Sequence, residues 1–347
     1  MGPVRLVGRS GVVRLVVLVL LASAVVAPPV IGRTSENDVA AAAGLAGSRV
    51  RPDDPQQGPP PLPTPPLQPL VRDVLPGVTR GVDALDALDA LGDDVFATVA
   101  RQNGQSVDAF AQVLADDPTA FLDGDGRLLY QDPGPTGSGA NAALVEPAPF
   151  PNSQTFLLHS RPGSNRVLYI DFNGYSLPAN TGWRSGQAYT ALPYDTNGNG
   201  VTWDQTEHNT IQSVWQRISE DYAPFDIDVT TEDPGSAAID RTSAADNVYG
   251  GVVVVTNSPN MDFCAPGGCG GVSYVGTVDE VGTNHNYYQP SWVFNDAMGG
   301  VAKYIAEAGS HEFGHAVGLS HDGKGGDAYY AGHGMWAPIM GVGYSQP

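Results

Sequence analysis

The chain has 347 residues, 43 of them Gly and 29 Pro, with 41% hydrophobic residues and 37 acidic against 17 basic residues, a formal charge of -20 at pH 7. That length supplies a sizeable core in one or two domains, and the acidic balance excludes charge-driven binding to nucleic acid or anionic membrane. Lys occurs only at Lys303 and Lys324, which reads as coding bias and not as function.

The N-terminus has the layout of an export signal. Arg5, Arg9 and Arg14 precede the apolar run 15–21, and Ala22-Ser23-Ala24 matches a small-x-small cleavage site. An uncleaved anchor is the alternative, but Pro28 and Pro29 cut the apolar stretch below the ~20 residues that span a bilayer. A signal peptide over 1–24 and a secreted, extracellular protein are therefore expected. Cleavage removes three Arg and no acid, leaving 14 basic against 37 acidic residues.

Residues 25–80 read as a Pro-rich disordered linker, with ten prolines between 52 and 76 favouring an extended spacer. Residues 81–130 turn helical and acidic. Val82, Leu85, Leu88, Leu91, Val95, Phe96, Val99, Phe110, Val113 and Leu114 recur at three- and four-residue spacings, among ten Asp and one Arg between Gly81 and Gly126. This is either a propeptide or an accessory domain, and the sequence does not separate the two. Residues 131–152 form a second linker, and 153–347 have the texture of a second domain.

In that second domain, 166–172 predicts a strand closed by Asn173-Gly174. Residues 205–222 predict an amphipathic helix with Ile211, Val214, Trp215 and Ile218 on one face. Strands follow over 225–231 and 251–256, the latter apolar on both faces and therefore central. Residues 271–275 and 292–294 are short strands, and 301–319 is the last long helix. The order gives a mixed α/β layer structure: a twisted mixed sheet with a long helix packed on an active-site helix.

The chemistry is concentrated on that last helix, in His311-Glu312-Phe313-Gly314-His315-Ala316-Val317-Gly318-Leu319-Ser320-His321-Asp322. His311 and His315, one turn apart, share a face, where one zinc ion can take both nitrogens at about 2.0–2.1 Å. Glu312 points toward the same opening without being a ligand. Gly318 lets the helix end, so that the chain turns back and presents His321. Three nitrogens and a water make an open, catalytic site. The five fixed residue types should coincide by chance in about one chain in 10^5.

This pattern resembles the metzincin clan of zinc metallopeptidases, whose signature is the extended histidine motif followed by a Met-turn. Met340, in Ala337-Pro338-Ile339-Met340-Gly341, matches the methionine of that turn. The resemblance covers about residues 165–345. VLYIDFNG and IQSVWQRISEDYAPFDIDVTTEDP are similar to the first strand, helix and second strand of bacterial reprolysin-like or matrixin-like members, and Asp322 fits those groups.

The resemblance implies a metzincin-like catalytic domain and one catalytic zinc. Glu312 would be general base and then acid, and Met340 the apolar floor of the site. Its partner would be a protein or peptide substrate, extended along a sheet edge for which 271–275 is the candidate. Tyr344 is a candidate for oxyanion assistance, although its spacing from the methionine is not a strict match.

The chain departs from the clan in two respects. Residues 25–150 contain no Cys, which excludes a cysteine switch, so Asp123 or Asp125 in FLDGDG would have to ligate the metal if this region is inhibitory. The sequence also stops seven residues after Met340, where family members continue along the wall of the substrate pocket.

Weaker signals complete the reading. Cys264 and Cys269 form an even pair in an exported chain and are expected as a disulfide, with free thiols the alternative. Asp195, Asn197 and Asn199 begin a candidate Ca2+ loop, but position twelve is Thr206, with Glu207 one residue late. Ser320-His321-Asp322 is no serine triad, since triad members meet in space and no G-x-S-x-G elbow exists. His159, His208, His285 and His333 are expected at the surface or in ordinary hydrogen bonds.

The expectation is a secreted, monomeric zinc-dependent endopeptidase made as a zymogen, with no stable membrane anchor after cleavage. Its alternatives are a latent or incomplete module that binds peptides without turnover, and a hydrolase of non-peptide amides.

Overall fold

The computed structural model describes residues 67–135, 147–200, 202–264, 267–324 and 327–346. The expected signal peptide and most of the expected Pro-rich linker lie outside these residues. Among the described residues no helix is long and apolar enough to cross a membrane.

The described chain opens on four helices and three strands: α1 (Leu67–Val74), β1 (Thr79–Arg80), α2 (Gly81–Asp89), α3 (Asp93–Gln102), α4 (Val107–Asp116), β2 (Ala120–Leu122) and β3 (Leu128–Asp132). Helix α1 falls inside the stretch read as linker. Once proline density drops after Pro66, Val71 and Leu75 can be buried completely, and they pack with Leu88, Phe96, Val99, Phe110 and Leu114. Pro69 sits in the first turn of α1, where its missing N–H costs nothing. Strands β2 and β3 are a hairpin about Asp123-Gly124-Asp125-Gly126, where a helical region to 130 and a linker from 131 were expected.

Beyond residue 147 come β4 (Arg166–Asp171), the hairpin strands β5 (Ser176–Leu177) and β6 (Tyr189–Thr190), α5 (Gln205–Asp221), β7 (Asp228–Thr230) and α6 (Ser236–Ile239). They are followed by β8 (Tyr249–Thr256), β9 (Gly271–Tyr274), α7 (Thr283–Tyr287), β10 (Ser291–Phe294), α8 (Asn295–Met298) and α9 (Ala302–Ala316).

One eight-stranded mixed sheet runs β1-β2-β3-β9-β10-β8-β4-β7. Strands β10, β8, β4 and β7 are parallel, whereas β9 is antiparallel to β10 and β3 antiparallel to β9. β8 is central and buried along its whole length, as its unbroken apolar run requires. Leu168, Ile170, Val253 and Val255 face α5 and α9 and pack on Ile211, Val214, Ile218, Ile305 and Phe313. Tyr169, Val252, Val254, Val272 and Trp292 face the other way and are covered by Leu177 and Trp183. The fold is therefore mixed α/β with both faces of the sheet covered.

Two expectations resolve locally. Cys264 and Cys269 are disulfide-bonded. The loop at Asp195 is closed by its own bonds: the Asp195 carboxylate accepts from the backbone N–H groups of Asn197, Gly198 and Gly200 at 2.7–2.9 Å. Asn197 Oδ1 accepts from Asn199 N at 3.0 Å. Glu207, the late acid of the candidate Ca2+ loop, instead completes the capping box of α5. Its Oε2 accepts from Asp204 N, and Asp204 Oδ1 accepts from Glu207 N, both at 2.9 Å.

Candidate metal centre

Helix α9 carries His311, Glu312 and His315 on its sheet-facing side, all three buried. The helix ends at Ala316. Gly318 then takes φ = 98°, a conformation that side-chain-bearing residues avoid, and the chain reverses so that His321 meets the other two histidines.

The Nε2 atoms form a triangle: His311 to His315 3.0 Å, His315 to His321 3.2 Å and His321 to His311 3.1 Å. Each Nδ1 has an acceptor on the far side of its ring. These are Ile339 O at 2.7 Å for His311, Leu319 O at 2.8 Å for His315 and Asp117 Oδ2 at 2.7 Å for His321.

In the neutral rings those bonds place the protons on Nδ1 and leave three Nε2 lone pairs converging on one point. Lone pairs so placed repel unless a cation lies between them. The triangle is close to the edge of about 3.3 Å in a tetrahedron with zinc–nitrogen bonds of about 2.0 Å, so the donor set fits zinc.

The fourth corner is a carboxylate. Asp132, at the end of β3, presents Oδ1 to His321 Nε2 at 3.0 Å and Oδ2 to His315 and His311 at 3.3 and 3.5 Å. Among the described residues, Asp132 and the three histidines form the only group whose ligand atoms lie mutually within 4.8 Å. Asp132 is 1% exposed and neither oxygen accepts a well-formed hydrogen bond, a costly position for an anion unless a cation compensates it.

Asp123 and Asp125, expected as the inhibitory ligands, do not reach this cluster. The Asp123 side chain accepts from Asp125 N and Arg127 N and closes the β2–β3 turn, while Asp125 pairs with Arg72 at 2.6 Å. The carboxylate that reaches the histidines is instead seven residues beyond Asp125, because strand pairing of β3 on β9 carries it there. In that register Asp132 stands opposite Gly271. The substrate edge expected at 271–275 is thus covered by β3.

No protein-family model, curated protein or solved structure matches this chain.

Glu312 is 1% exposed, between the histidines along the helix. Burial first, and the Asp132 carboxylate second, push its pKa well above the ordinary range, while the neighbouring histidines hold Asp132 well below it against the cost of burial. Of this pair of buried carboxyl groups, Glu312 keeps the proton. Burial chiefly, with His311 and His321 beside it, lowers His315 to about 4 against the pull of Asp132. Burial acts the same way on His321, but the Asp132 and Asp117 carboxylates outweigh it and hold that ring up at about 9, so a metal at its Nε2 has to displace a proton.

Met340 is buried, and its carbonyl accepts from Asp322 N at 2.7 Å, tying the turn after the helix to the segment that also holds His311. Tyr344 lies against Tyr304, and burial followed by Glu312 raises it well above 10, so it stays protonated. A cavity of about 200 Å³ opens beside His311, bounded by Asp221, Glu307, Ser310, Ile339 and Tyr344.

His159, His208 and His333 are spent on Asp228, Thr155 and Tyr330, and His285 is buried away from the cluster.

Sequence reasoning found the three histidines and Glu312, which structure brings together. It missed Asp132, Asp117 and two rings beside the cluster: Tyr130, 4.4 Å from the His315 ring and 4.3 Å from that of His321, and Tyr329, 4.4 Å from His321. One signal was available for Asp132. Ala120-Phe121-Leu122 and Leu128-Leu129-Tyr130 flank an Asp-Gly turn, the pattern of a hairpin.

Proposed function

We propose that the chain is a secreted, monomeric zinc-dependent endopeptidase of metzincin type, seen in its closed precursor form. The observation that carries this reading is the convergence of three Nε2 lone pairs next to the buried, unpartnered Oε2 of Glu312. Purely structural zinc sites have no need of such a carboxyl group.

His311, His315 and His321 would hold the ion, which when bound polarises a peptide carbonyl and acidifies a water. With Asp132 withdrawn, the Glu312 carboxylate, ionised for its turn as base, takes the proton of the attacking water and returns it to the departing amine nitrogen. Tyr344, kept protonated, is the candidate O–H donor to the oxyanion.

Strand β3 supports both the substrate class and the latency. It pairs with β9 from Leu129 to Asp132, so β9 accepts an extended peptide by main-chain bonds. It also delivers a carboxylate to the fourth corner, where an active centre needs water. The N-terminal segment is thereby read as an inhibitory propeptide and not as an accessory domain.

The test is casein hydrolysis by the folded, zinc-loaded full chain carrying a protease site engineered between residues 135 and 147. Opening that site should release activity that 1,10-phenanthroline and Glu312→Ala both abolish. Zinc uptake without hydrolysis in the opened protein would leave a peptide-binding module and refute the peptidase.

A further inference from the structure

Two of the three histidines are oriented by carbonyls of their own neighbourhood, Leu319 for His315 and Ile339 for His311. The Nδ1 of His321 instead meets Asp117 Oδ2, 204 residues earlier in the chain, at 2.7 Å. Asp117 follows α4 directly, in the same N-terminal segment that contributes Asp132. It is 6% exposed, and its other oxygen is fixed: Oδ1 accepts from Thr119 N at 2.9 Å and from Thr119 Oγ1 at 2.7 Å. Thr119 Oγ1 itself lies 3.5 Å from His321 Nδ1. The carboxylate is thus aimed by one residue at another.

We infer that Asp117 is a positioning residue for the metal, and that the N-terminal segment both closes the centre and completes it. The inference rests on the zinc reading above. A carboxylate on Nδ1 fixes the proton there, orients the ring and raises the donor strength of Nε2. His321 needs this more than its partners do, because it stands after the helix, on a turn, and not on the rigid α9. Asp132 then supplies the fourth contact from the same segment. Loss of the segment would therefore open the site and at the same time loosen the metal, so the full chain is the form that loads zinc best.

Asp117→Asn in the full chain separates this from a mere turn-forming role. Asn Oδ1 still accepts from Thr119, but its NH2 then faces His321 and favours the tautomer that places hydrogen on Nε2. Zinc affinity, read by competition with a chromophoric chelator, should fall about 10- to 100-fold. The rise in melting temperature on adding zinc, measured against the zinc-free variant itself, should shrink.

Zinc affinity within about threefold of wild type would overturn the proposal. If the Asn variant fails to fold, Thr119→Val gives the second measurement. It removes the hydroxyl that steadies the carboxylate, and zinc affinity should weaken several-fold; an unchanged affinity overturns the proposal equally. A wild-type chain that takes up no zinc contradicts the zinc reading itself, whereas normal wild-type uptake with indifferent variants contradicts only the role of Asp117.

Discussion

The carboxylate of Glu312 occupies the space where a side chain at position 271 would begin: a Cβ on Gly271 would lie 2.1 Å from Glu312 Oε1. Strand β9 and helix α9 approach this closely only because residue 271 has no side chain. Gly271→Ala should push the carboxylate from its place and, under the proposed function, lower casein hydrolysis by the opened protein about 100-fold, the scale of a lost general base, with zinc content unchanged. Hydrolysis at the wild-type rate would show that Glu312 needs no such placement.

The proposed function makes Asp132 and an external ligand compete for one corner of the site. In the cobalt-substituted full chain, acetohydroxamate should perturb the visible spectrum only weakly. Asp132→Ala removes the competing carboxylate without displacing β3, and apparent affinity for this small ligand should rise at least about tenfold, or ~1.4 kcal/mol. Equal affinity in the two proteins would mean that Asp132 does not close the centre.

Asp123 governs a pH dependence of stability. Burial, chiefly, pushes its carboxyl up to about 6 from an ordinary 3.8. A raised value in the folded state means that folding favours the protonated form. Its stabilising contribution is therefore present in full below about pH 4 and is lost as the pH rises through 6. A difference of about two pH units is worth up to ~3 kcal/mol. Asp123→Asn retains an acceptor for Asp125 N and Arg127 N, so urea unfolding should show little change at pH 4 and a gain of ~2 kcal/mol at pH 8. A gain of equal size at both pH values would exclude this cause.

Arg127 ties the hairpin to the remainder of the sheet. Its side chain is 6% exposed and donates to Gln102 O and Gly276 O, both at 2.8 Å, and to Glu280 Oε1 at 2.9 Å. Arg127→Ala should cost ~2 kcal/mol in urea unfolding, the scale of charge-assisted bonds. Lys should recover less than half, because one ammonium cannot span three separated acceptors. Full recovery by Lys would reduce the role of Arg127 to its charge.

What the sequence discloses about the site is local. His311, Glu312 and His315 lie within one and a half turns of helix, and His321 follows through a single glycine, so spacing alone predicts their meeting. Ile211, Val214, Trp215 and Ile218 are likewise legible, because helical periodicity aligns them. Asp117 and Asp132 reach the same point by another route. The pairing of β3 on β9 and the packing of α4 bring them there from about 180 to 205 residues away, and no short-range pattern encodes that pairing. Asp123 and Asp125 carry the same functional group and lie close by in sequence, but the turn between β2 and β3 consumes one and Arg72 the other. The sequence thus makes a carboxylate at the histidines a reasonable expectation, and only the strand register identifies which one reaches them.

His311, His315, His321 and Asp132 together could hold a single metal ion. Anomalous diffraction at the zinc edge, from crystals of the zinc-loaded full chain, tests it directly. One peak should lie within about 2.0–2.2 Å of the three Nε2 atoms and of one Asp132 oxygen. A peak elsewhere, or one at the histidines with water in place of Asp132, would rule out this ligand set.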